Sequence, residues 1–260
     1  MDLGLRGGTF LITGGTAGLG LGLAQTLATE GARVAICGRD PERLAAATAQ
    51  LEQSGGEVLA LQTDVTELDQ LTDAFAQIEA KWGILDGIVN NAGIATGGMF
   101  ADVDDATWGF DFDLKLRAII RTVRLGTPLL EKSSRSASVL NVLSVYARFQ
   151  PAGSMPSSVF RAGGLALTKG LSNELGPAGI RVNAALIGFV HSDQWVRGAE
   201  AANQSIAQFE AARAAKMRIP LGRAGTTEEF ADVAAFLLSE RASYLTGTAL
   251  NIDGGLSAVI

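Results

Sequence analysis

Short apolar runs alternate with longer segments of helical periodicity along the whole chain. This alternation is typical of stacked βαβ units. Several of the runs are almost continuously apolar, as expected for parallel strands that helices cover on both faces. The pattern predicts seven strands, at Thr9–Thr13, Arg33–Cys37, Val58–Gln62, Leu85–Val89, Ala137–Leu143, Arg181–Leu186 and Ala249–Ile252.

The segments between these strands predict helices with recognisable starts. Asp40 precedes Pro41 as a helix cap, and residues 226–229 form a capping signature before an apolar run. The predicted helices are Leu21–Glu30, Pro41–Gln53, Thr107–Leu130, Pro156–Leu175 and one that opens at Thr226. The expected fold class is α/β, with residues 1–260 forming one Rossmann-like, doubly wound domain. Its seven-stranded parallel sheet would carry helices on both faces.

One irregular region separates the sixth strand from the last helix. It spans about residues 187–225 and contains an alanine-rich helical piece, Ala199–Met217, flanked by glycines. Long connections inside compact domains usually have a function, often as a lid over a ligand. We therefore expect a substrate loop here.

Composition narrows the classes of function. Of the 260 residues, 47% are apolar and 18% are charged, which favours a large core and excludes intrinsic disorder. The net charge of −6 argues against nucleic acid or an anionic membrane as a partner. One histidine and one cysteine, Cys37, do not supply a Cys/His metal site, so no metal is expected.

Residues 7–29 carry no charge, and the stretch is long enough to span a membrane. It contains seven glycines and five threonines, however, and lacks the cationic start of a signal peptide. We interpret it as a strand, a glycine turn and a helix. The expected location is the cytoplasm.

The glycine turn after the first strand reads Thr13-Gly14-Gly15-Thr16-Ala17-Gly18-Leu19-Gly20. Glycines in this position let the backbone turn tightly and approach a pyrophosphate, whose charge lies at the N-terminus of the following helix. The alternative is a tight turn that only allows close packing of strand and helix. Placement between a strand and a helix at the start of a βαβ unit favours a dinucleotide site.

The end of the second strand indicates which dinucleotide is bound. A carboxylate at this position would bind the adenosine ribose and repel a 2′-phosphate. The chain has Gly38 there, followed by Arg39, whose forked guanidinium suits a phosphate. NADP is therefore favoured over NAD. The alternative role for Arg39 is that of a solvated surface residue.

Several further motifs follow in order along the chain. They are Asp64-Val65, Asn90-Asn91-Ala92-Gly93, Asn183, Tyr244-Leu245-Thr246-Gly247 and Asp253-Gly254-Gly255. With the glycine turn they cover nearly the whole chain, which resembles the short-chain dehydrogenase/reductase family, in particular its 3-oxoacyl-carrier-protein reductases. The resemblance implies a small-molecule carbonyl or alcohol substrate and a homo-oligomer, either a tetramer or a dimer.

The resemblance also implies the residues that line the cofactor site. Asp64 and Val65 would flank the adenine, and Ser192 would bond the nicotinamide carboxamide. A family Pro-Gly turn corresponds to Ile187 and Gly188, so its proline has changed. The remaining cofactor residues are Gly14, Thr16, Gly18, Leu19 and Gly20 in the turn, with Asn91, Ala92 and Gly93 as the floor of the site.

The catalytic pattern of the family is altered. The family has a serine after the fifth strand, then a tyrosine and a lysine on the next helix, and an asparagine on the preceding long helix. Ser144 fits the first position. Counting from the motifs on either side, Ser157 takes the place of the tyrosine, Arg161 that of the lysine and Lys115 that of the asparagine.

These changes alter the acid–base chemistry. A serine hydroxyl is far less acidic than a phenol, and an arginine stays protonated, although Arg161 can hold the cofactor ribose. Lys115 is one candidate proton donor, because repulsion by Arg161 and desolvation would lower its pKa. Tyr146, two residues after Ser144, is the other candidate. The alternative to a proton-donor role is an exposed helix lysine for Lys115 and a packing or substrate-wall aromatic for Tyr146.

Three functions remain open from the sequence. The first is an NADP-dependent oxidoreductase that transfers hydride between a carbonyl and an alcohol with a rewired proton relay. The second is a cofactor-binding pseudoenzyme, a sensor or assembly subunit, because the adenine end of the site is intact and the nicotinamide end is not. The third is non-redox chemistry or anion binding by residues such as Ser157, Arg161 and Lys115.

Overall fold

Seven parallel strands form one sheet. They are β1 (Thr9–Thr13), β2 (Arg33–Gly38), β3 (Glu57–Gln62), β4 (Gly87–Asn90), β5 (Ser138–Ser144), β6 (Arg181–Ile187) and β7 (Ala249–Ile252). The computed structural model describes residues 2–259, except for the side chains of Asp193 and Gln194. The strand order is β3-β2-β1-β4-β5-β6-β7, so the predicted fold class is confirmed.

Helices connect the strands. They are α1 (Gly18–Thr29), α2 (Pro41–Gln53), α3 (Leu68–Trp82), α4 (Asp105–Phe112), α5 (Ala118–Leu130), α6 (Ser157–Leu175), α7 (Asp193–Ala201), α8 (Ile206–Met217) and α9 (Thr227–Leu238). A π-helical segment, Asp113–Arg117, joins α4 to α5. Short 3₁₀ turns lie at Phe100–Asp102, Val145–Ala147, Gly176–Ala178 and Glu240–Ala242.

Two apolar cores lie on opposite faces of the sheet. On one face α1, α2 and α9 cover the strands, and Phe230 of α9 is fully buried there. On the other face α3, α5 and α6 pack against the strands, with Ile78 and Ile88 fully buried. The double layer explains why the strand sequences read as continuous apolar runs.

The prediction of one continuous helix at Thr107–Leu130 is wrong. The structure has α4, the π-helical segment and α5 over this stretch. A π turn inserts one residue into the helical ladder, and such turns are frequent at functional sites. Lys115 is the central residue of this segment.

The single helical piece predicted at Ala199–Met217 is also wrong, because α7 and α8 divide it. The chain turns between them at Asn203, which has φ = 50°. Ser205 then caps α8 in a capping box with Gln208, which gives the second helix its own start. The first helix begins at Gly18 rather than at the predicted Leu21, since the glycine turn itself enters α1.

Over residues 2–259, no helix has both the length and the apolar character needed to cross a membrane.

Candidate active site

The glycine turn folds tightly against the end of β4. Gly14 adopts φ = 66°, a left-handed conformation that favours glycine. A Cβ atom on Gly20 would lie 2.3 Å from the carbonyl oxygen of Gly14, so this position accepts no side chain. Asn91 closes the turn, because its side-chain nitrogen donates to the carbonyl oxygens of Thr13 (3.0 Å) and Gly14 (3.1 Å).

The start of α1 fits a pyrophosphate group. Ala17, the residue before the helix, is extended and supplies no capping hydrogen bond. The first N–H groups of a helix have no partner within it, and here no side-chain cap at that residue takes one. Thr16, Gly18 and Leu19 lie at this end, each partly exposed, as a ligand-facing turn requires.

The adenine end is built around Gly38. A Cβ atom there would lie 2.6 Å from the Thr16 methyl group, which leaves no room for a carboxylate side chain. Arg39 is 65% exposed and lies 3.6 Å from the Asp64 carboxylate, and Val65 is buried beside it. The exposed guanidinium is free to bind a phosphate, since the Asp64 contact is long and solvated.

Gly188 and Ser192 lie beyond the end of β6. A Cβ atom on Gly188 would be 2.5 Å from the Cβ of Asp253, so the chain passes there only as glycine. Ser192 precedes α7, and its side chain makes no capping hydrogen bond. Further along, Arg213 stacks 4.2 Å above the Trp195 ring, which itself packs edge-on against Phe189. The segment from 187 to 225 therefore has its own small core.

Ser144 ends β5 and begins the Val145–Ala147 turn. Its hydroxyl oxygen accepts a hydrogen bond of 3.2 Å from the backbone N–H of Tyr146. The Tyr146 ring packs edge-on against Phe149, with the centroids 5.3 Å apart, and borders the core under α6. Tyr146 is thus held by packing.

Ser157 and Arg161 share one face of α6, since they are four residues apart. Arg161 donates a hydrogen bond of 2.7 Å to the carbonyl oxygen of Val142, in β5. Its terminal nitrogen is 3.1 Å from where a Cβ on Gly93 would lie. Arg161 therefore reaches Gly93, one of the residues expected to form the floor of the dinucleotide site.

Lys115 is almost completely buried, with 2% of its surface exposed, so the exposed-lysine alternative is wrong. Its ammonium forms an ion pair with the fully buried carboxylate of Asp111, four residues earlier. It also donates a hydrogen bond of 2.5 Å to the Thr96 hydroxyl, which itself donates to Asp111. The π-helical segment directs Lys115 inward toward α6.

Aromatic packing fixes the helix that carries Lys115 against the helix that carries Arg161. Phe160 stacks edge-on against Trp108 (5.7 Å between centroids) and contacts Phe112 at 5.6 Å. Gly163 leaves room for Leu116. The two basic side chains are therefore held near each other by elements that pack rigidly.

This arrangement shifts both protonation equilibria. Burial lowers the pKa of Lys115 to about 8, helped by repulsion from Arg161 and opposed by the hydrogen bond and charge of Asp111. Burial also lowers the pKa of Arg161 to about 10, opposed by the same carboxylate. Near neutral pH Arg161 keeps its proton, whereas Lys115 is close to the pH at which it exchanges one.

Sequence reasoning missed Asp111 and Thr96. An aspartate four residues before a lysine on a helix usually marks a solvated surface pair. The available signal was the expectation that Lys115 faces Arg161, because two buried cations call for an anion nearby. Thr96 gave no signal, since it lies in a loop without a motif.

The family model described as enoyl-(acyl carrier protein) reductase matches residues 14–257. The chain belongs to the short-chain dehydrogenase/reductase family. A 3-oxoacyl-[acyl-carrier-protein] reductase of Chlamydia pneumoniae is 34% identical over 257 residues, which covers 99% of this chain and all of the relative.

Two similar proteins of known structure have been solved with NADPH bound. A short-chain oxidoreductase of Pseudomonas aeruginosa, described as containing an atypical catalytic center, is 36% identical with a TM-score of 0.93. The alignment covers 97% of this chain and 98% of that one, and the protein is also known with NADPH bound. L-sorbose reductase of Gluconobacter frateurii, solved with NADPH and L-sorbose, is 28% identical with a TM-score of 0.95 over both full chains. The cofactor expected from Arg39 agrees with these relatives.

Proposed function

We propose that this reductase-family member is an NADP-dependent oxidoreductase in which Lys115 replaces tyrosine as the proton donor. The observation that carries the proposal is the buried Lys115 ammonium near Arg161, whose own guanidinium reaches Gly93 after β4. The chain has two tyrosines, and neither lies on α6. Tyr146 is packed against Phe149, and Tyr244 is fully exposed.

Each residue of the proposed cofactor site has a part of NADP that it would contact. The turn from Gly14 to Gly20 would take the pyrophosphate, Arg39 the 2′-phosphate and Arg161 the ribose next to the nicotinamide. NADPH supplies a hydride when it is bound. Asp64 and Val65 at the adenine, and Ser192 near the carboxamide, complete the proposed contacts.

In reduction, the Nζ atom of Lys115 would give a proton to the carbonyl oxygen while the carbonyl carbon takes up the hydride that NADPH would supply. Lys115 would be left neutral, and a proton from solvent would restore its ammonium. Ser144 and Ser157 would donate hydrogen bonds to the carbonyl oxygen and orient it. A donor with a pKa of about 8 is well matched to neutral pH, where it is mostly protonated yet releases its proton readily.

The substrate is proposed to be a small carbonyl or alcohol compound that enters under the segment from 187 to 225. The loop after β4 carries exposed apolar side chains, of which Ile94, Met99 and Phe100 are 48–71% exposed. A backbone bridge between Gly98 and Met155 ties this loop to the residues before α6. These side chains favour apolar groups on the substrate.

The test uses NADPH oxidation against a panel of ketones, 3-oxoacyl thioesters and quinones. With an accepted substrate, Lys115→Ala should lower kcat by about 100-fold or more, the range for loss of a general acid. NADPH affinity should remain. Because the acid must be protonated, the wild-type reduction rate should fall as pH rises through about 8, and alcohol oxidation should rise over the same interval.

Two controls accompany this test. Lys132→Ala removes an exposed lysine that pairs with Glu79 and should leave kcat unchanged. Tyr146→Phe should also leave it within about twofold, since the ring acts by packing in our proposal. A rate lost in Tyr146→Phe and kept in Lys115→Ala would transfer the role to Tyr146. Tight NADPH binding without turnover on any carbonyl would instead indicate a cofactor-binding pseudoenzyme.

We also propose that the protein is a homo-oligomer, a tetramer or a dimer. The outer edge of β7 is not paired with another strand of residues 2–259, and Leu250 on it is 43% exposed. Exposed strand edges are usually covered or paired in stable proteins. Phe110 and Val159, both about two-fifths exposed, offer a second apolar surface on α4 and α6.

A further inference from the structure

Asp111 and Thr96 form a polar cluster with Lys115, apart from the glycine turn that is proposed to hold the pyrophosphate. The Asp111 side chain is completely buried, and one of its oxygens accepts hydrogen bonds from both Lys115 and Thr96. Its other oxygen, Oδ2, is buried without a hydrogen-bond partner among the described residues. A buried carboxylate so placed is costly unless nearby cations stabilise it.

The charges around Lys115 come from two helices. Asp111 precedes it by one turn, and Arg161 faces it from α6. The loop after β4 contributes the uncharged Thr96 hydroxyl. With Lys115 protonated the cluster has a net charge of +1, and with Lys115 neutral it has none, because Asp111 balances Arg161.

Asp111 therefore determines how easily Lys115 loses its proton. Without this carboxylate, the cluster would carry a charge of +2 with Lys115 protonated and +1 with it neutral. Like charges at short range in a buried site strongly favour the neutral amine. Lys115 would then be largely deprotonated at the pH where the enzyme needs an acid.

Thr96 determines the direction of the ammonium. A lysine ammonium has three N–H donors, and it rotates freely unless its partners fix it. Asp111 and Thr96 take two of the three. In the proposed reaction, the third donor would serve the substrate oxygen.

We propose that Asp111 and Thr96 are positioning residues, of which Asp111 retains the proton on Lys115 and Thr96 fixes the direction in which that proton is delivered. The inference rests on the proposed function, since it assigns these roles toward Lys115 as the acid. It concerns residues that neither the glycine turn nor the motifs of the family single out.

The first test compares Asp111→Asn with Asp113→Asn. Asp113 lies two residues away, is about one-third exposed and pairs with Arg117, so its loss removes the same charge from the helix surface. The pH at the midpoint of the fall in kcat/KM should be lower by about 1 unit or more in Asp111→Asn than in the wild type. It should stay within about 0.3 unit of wild type in Asp113→Asn, because solvent screens that charge.

The second test reads the protonation of Lys115 without turnover. The ¹³Cε resonance of Lys115, assigned by its loss in Lys115→Met, is titrated in the NADPH-bound protein. Its midpoint should fall by about 1 pH unit or more in Asp111→Asn and remain in Asp113→Asn. An unchanged midpoint in Asp111→Asn would overturn the role of Asp111.

The third test separates Thr96 from simple packing. Thr96→Val keeps the shape and removes the hydroxyl, whereas Thr96→Ser keeps the hydroxyl. We expect kcat about 10-fold lower in Thr96→Val with KM little changed, and a rate close to wild type in Thr96→Ser. Equal rates in the two variants would overturn the role of Thr96, and this pair remains informative if Asp111→Asn does not fold.

The failures of the two proposals are distinguishable. If Lys115→Ala turns over normally, the proposed proton donor is wrong, whatever the Asp111 variants do. If Lys115→Ala is inactive while Asp111→Asn keeps the wild-type pH profile and ¹³Cε midpoint, Lys115 remains the acid and the positioning inference alone is refuted.

Discussion

At the scale of single residues, Arg161 occupies the position where the family has a lysine, and it can bind the cofactor but does not readily release a proton. Its hydrogen bond to Val142 and its approach to Gly93 hold the guanidinium at the cofactor floor. Burial lowers its pKa only to about 10, so it remains a cation near neutral pH. In the proposed reaction, proton transfer therefore falls to Lys115, whose pKa of about 8 lies nearer neutrality.

Arg39 gives a prediction about cofactor choice. Arg39→Ala should weaken NADPH binding by about 10-fold and leave NADH binding unchanged, because only NADPH carries the 2′-phosphate. The two dissociation constants are measured by the fluorescence of the bound reduced nicotinamide. Arg43→Ala is the control, since Arg43 is an exposed arginine of α2 that pairs with Asp40. If Arg39→Ala weakened NADPH and NADH binding equally, Arg39 would not be the residue that binds the 2′-phosphate.

Of the two buried charges, Lys115 and Asp111, the sequence allows only the first to be predicted as a site residue. Lys115 could be singled out because its position in the family pattern normally holds an asparagine. Asp111 could not, because D-x-x-x-K on a helix reads as a surface pair until the neighbouring helix is known. Burial is a property of the packed elements, and α6 packs against this stretch through Phe160 and Gly163.

At the scale of elements, the strands were predictable and the helix interruptions were not. The runs from Thr9 to Thr13 and from Ala249 to Ile252 were predicted with their observed ends, because turn residues bound them. The π-helical segment consists of ordinary helix-forming residues, Asp-Leu-Lys-Leu-Arg, so nothing local marks it. The segment packs against α6, which the local sequence does not reveal.

The start of α1 gives a prediction about close approach. Gly20→Ala should destabilise the protein and abolish NADPH binding, because the added methyl group would collide with the Gly14 carbonyl oxygen. Gly170→Ala, in the interior of α6 with open space around it, should instead raise the free energy of unfolding by about 0.5–1 kcal/mol. Urea unfolding and NADPH titration of both variants check this pair. Wild-type nucleotide affinity in Gly20→Ala would refute the site.

At the scale of the whole molecule, the unpaired edge of β7 leads to a prediction about assembly. The wild-type protein should sediment as a dimer or tetramer at micromolar concentration. Leu250→Glu should reduce the assembled mass, because it places a charge on a surface that association would bury. Leu68→Glu makes the same change at a similarly exposed residue of α3 and should not alter the mass. A wild-type monomer at this concentration would contradict the proposal.

The overall architecture was the most predictable feature, because it depends on composition and order rather than on individual contacts. Alternating strands and helices permit few arrangements, and right-handed crossovers reduce them further. The segment from 187 to 225 was recognised as a long connection. Its internal packing, such as Arg213 over Trp195, was not, since those partners come from separate helices.

Asn91 has a consequence for how the protein is made. The side chain that closes the glycine turn comes from the end of β4, 77 residues after the Gly14 carbonyl that it contacts. A nascent chain that has emerged only as far as α3 contains every glycine of the turn but not the amide that locks it. The nucleotide therefore has no finished binding site to meet during early synthesis on the ribosome, and cofactor capture waits until the centre of the sheet has assembled.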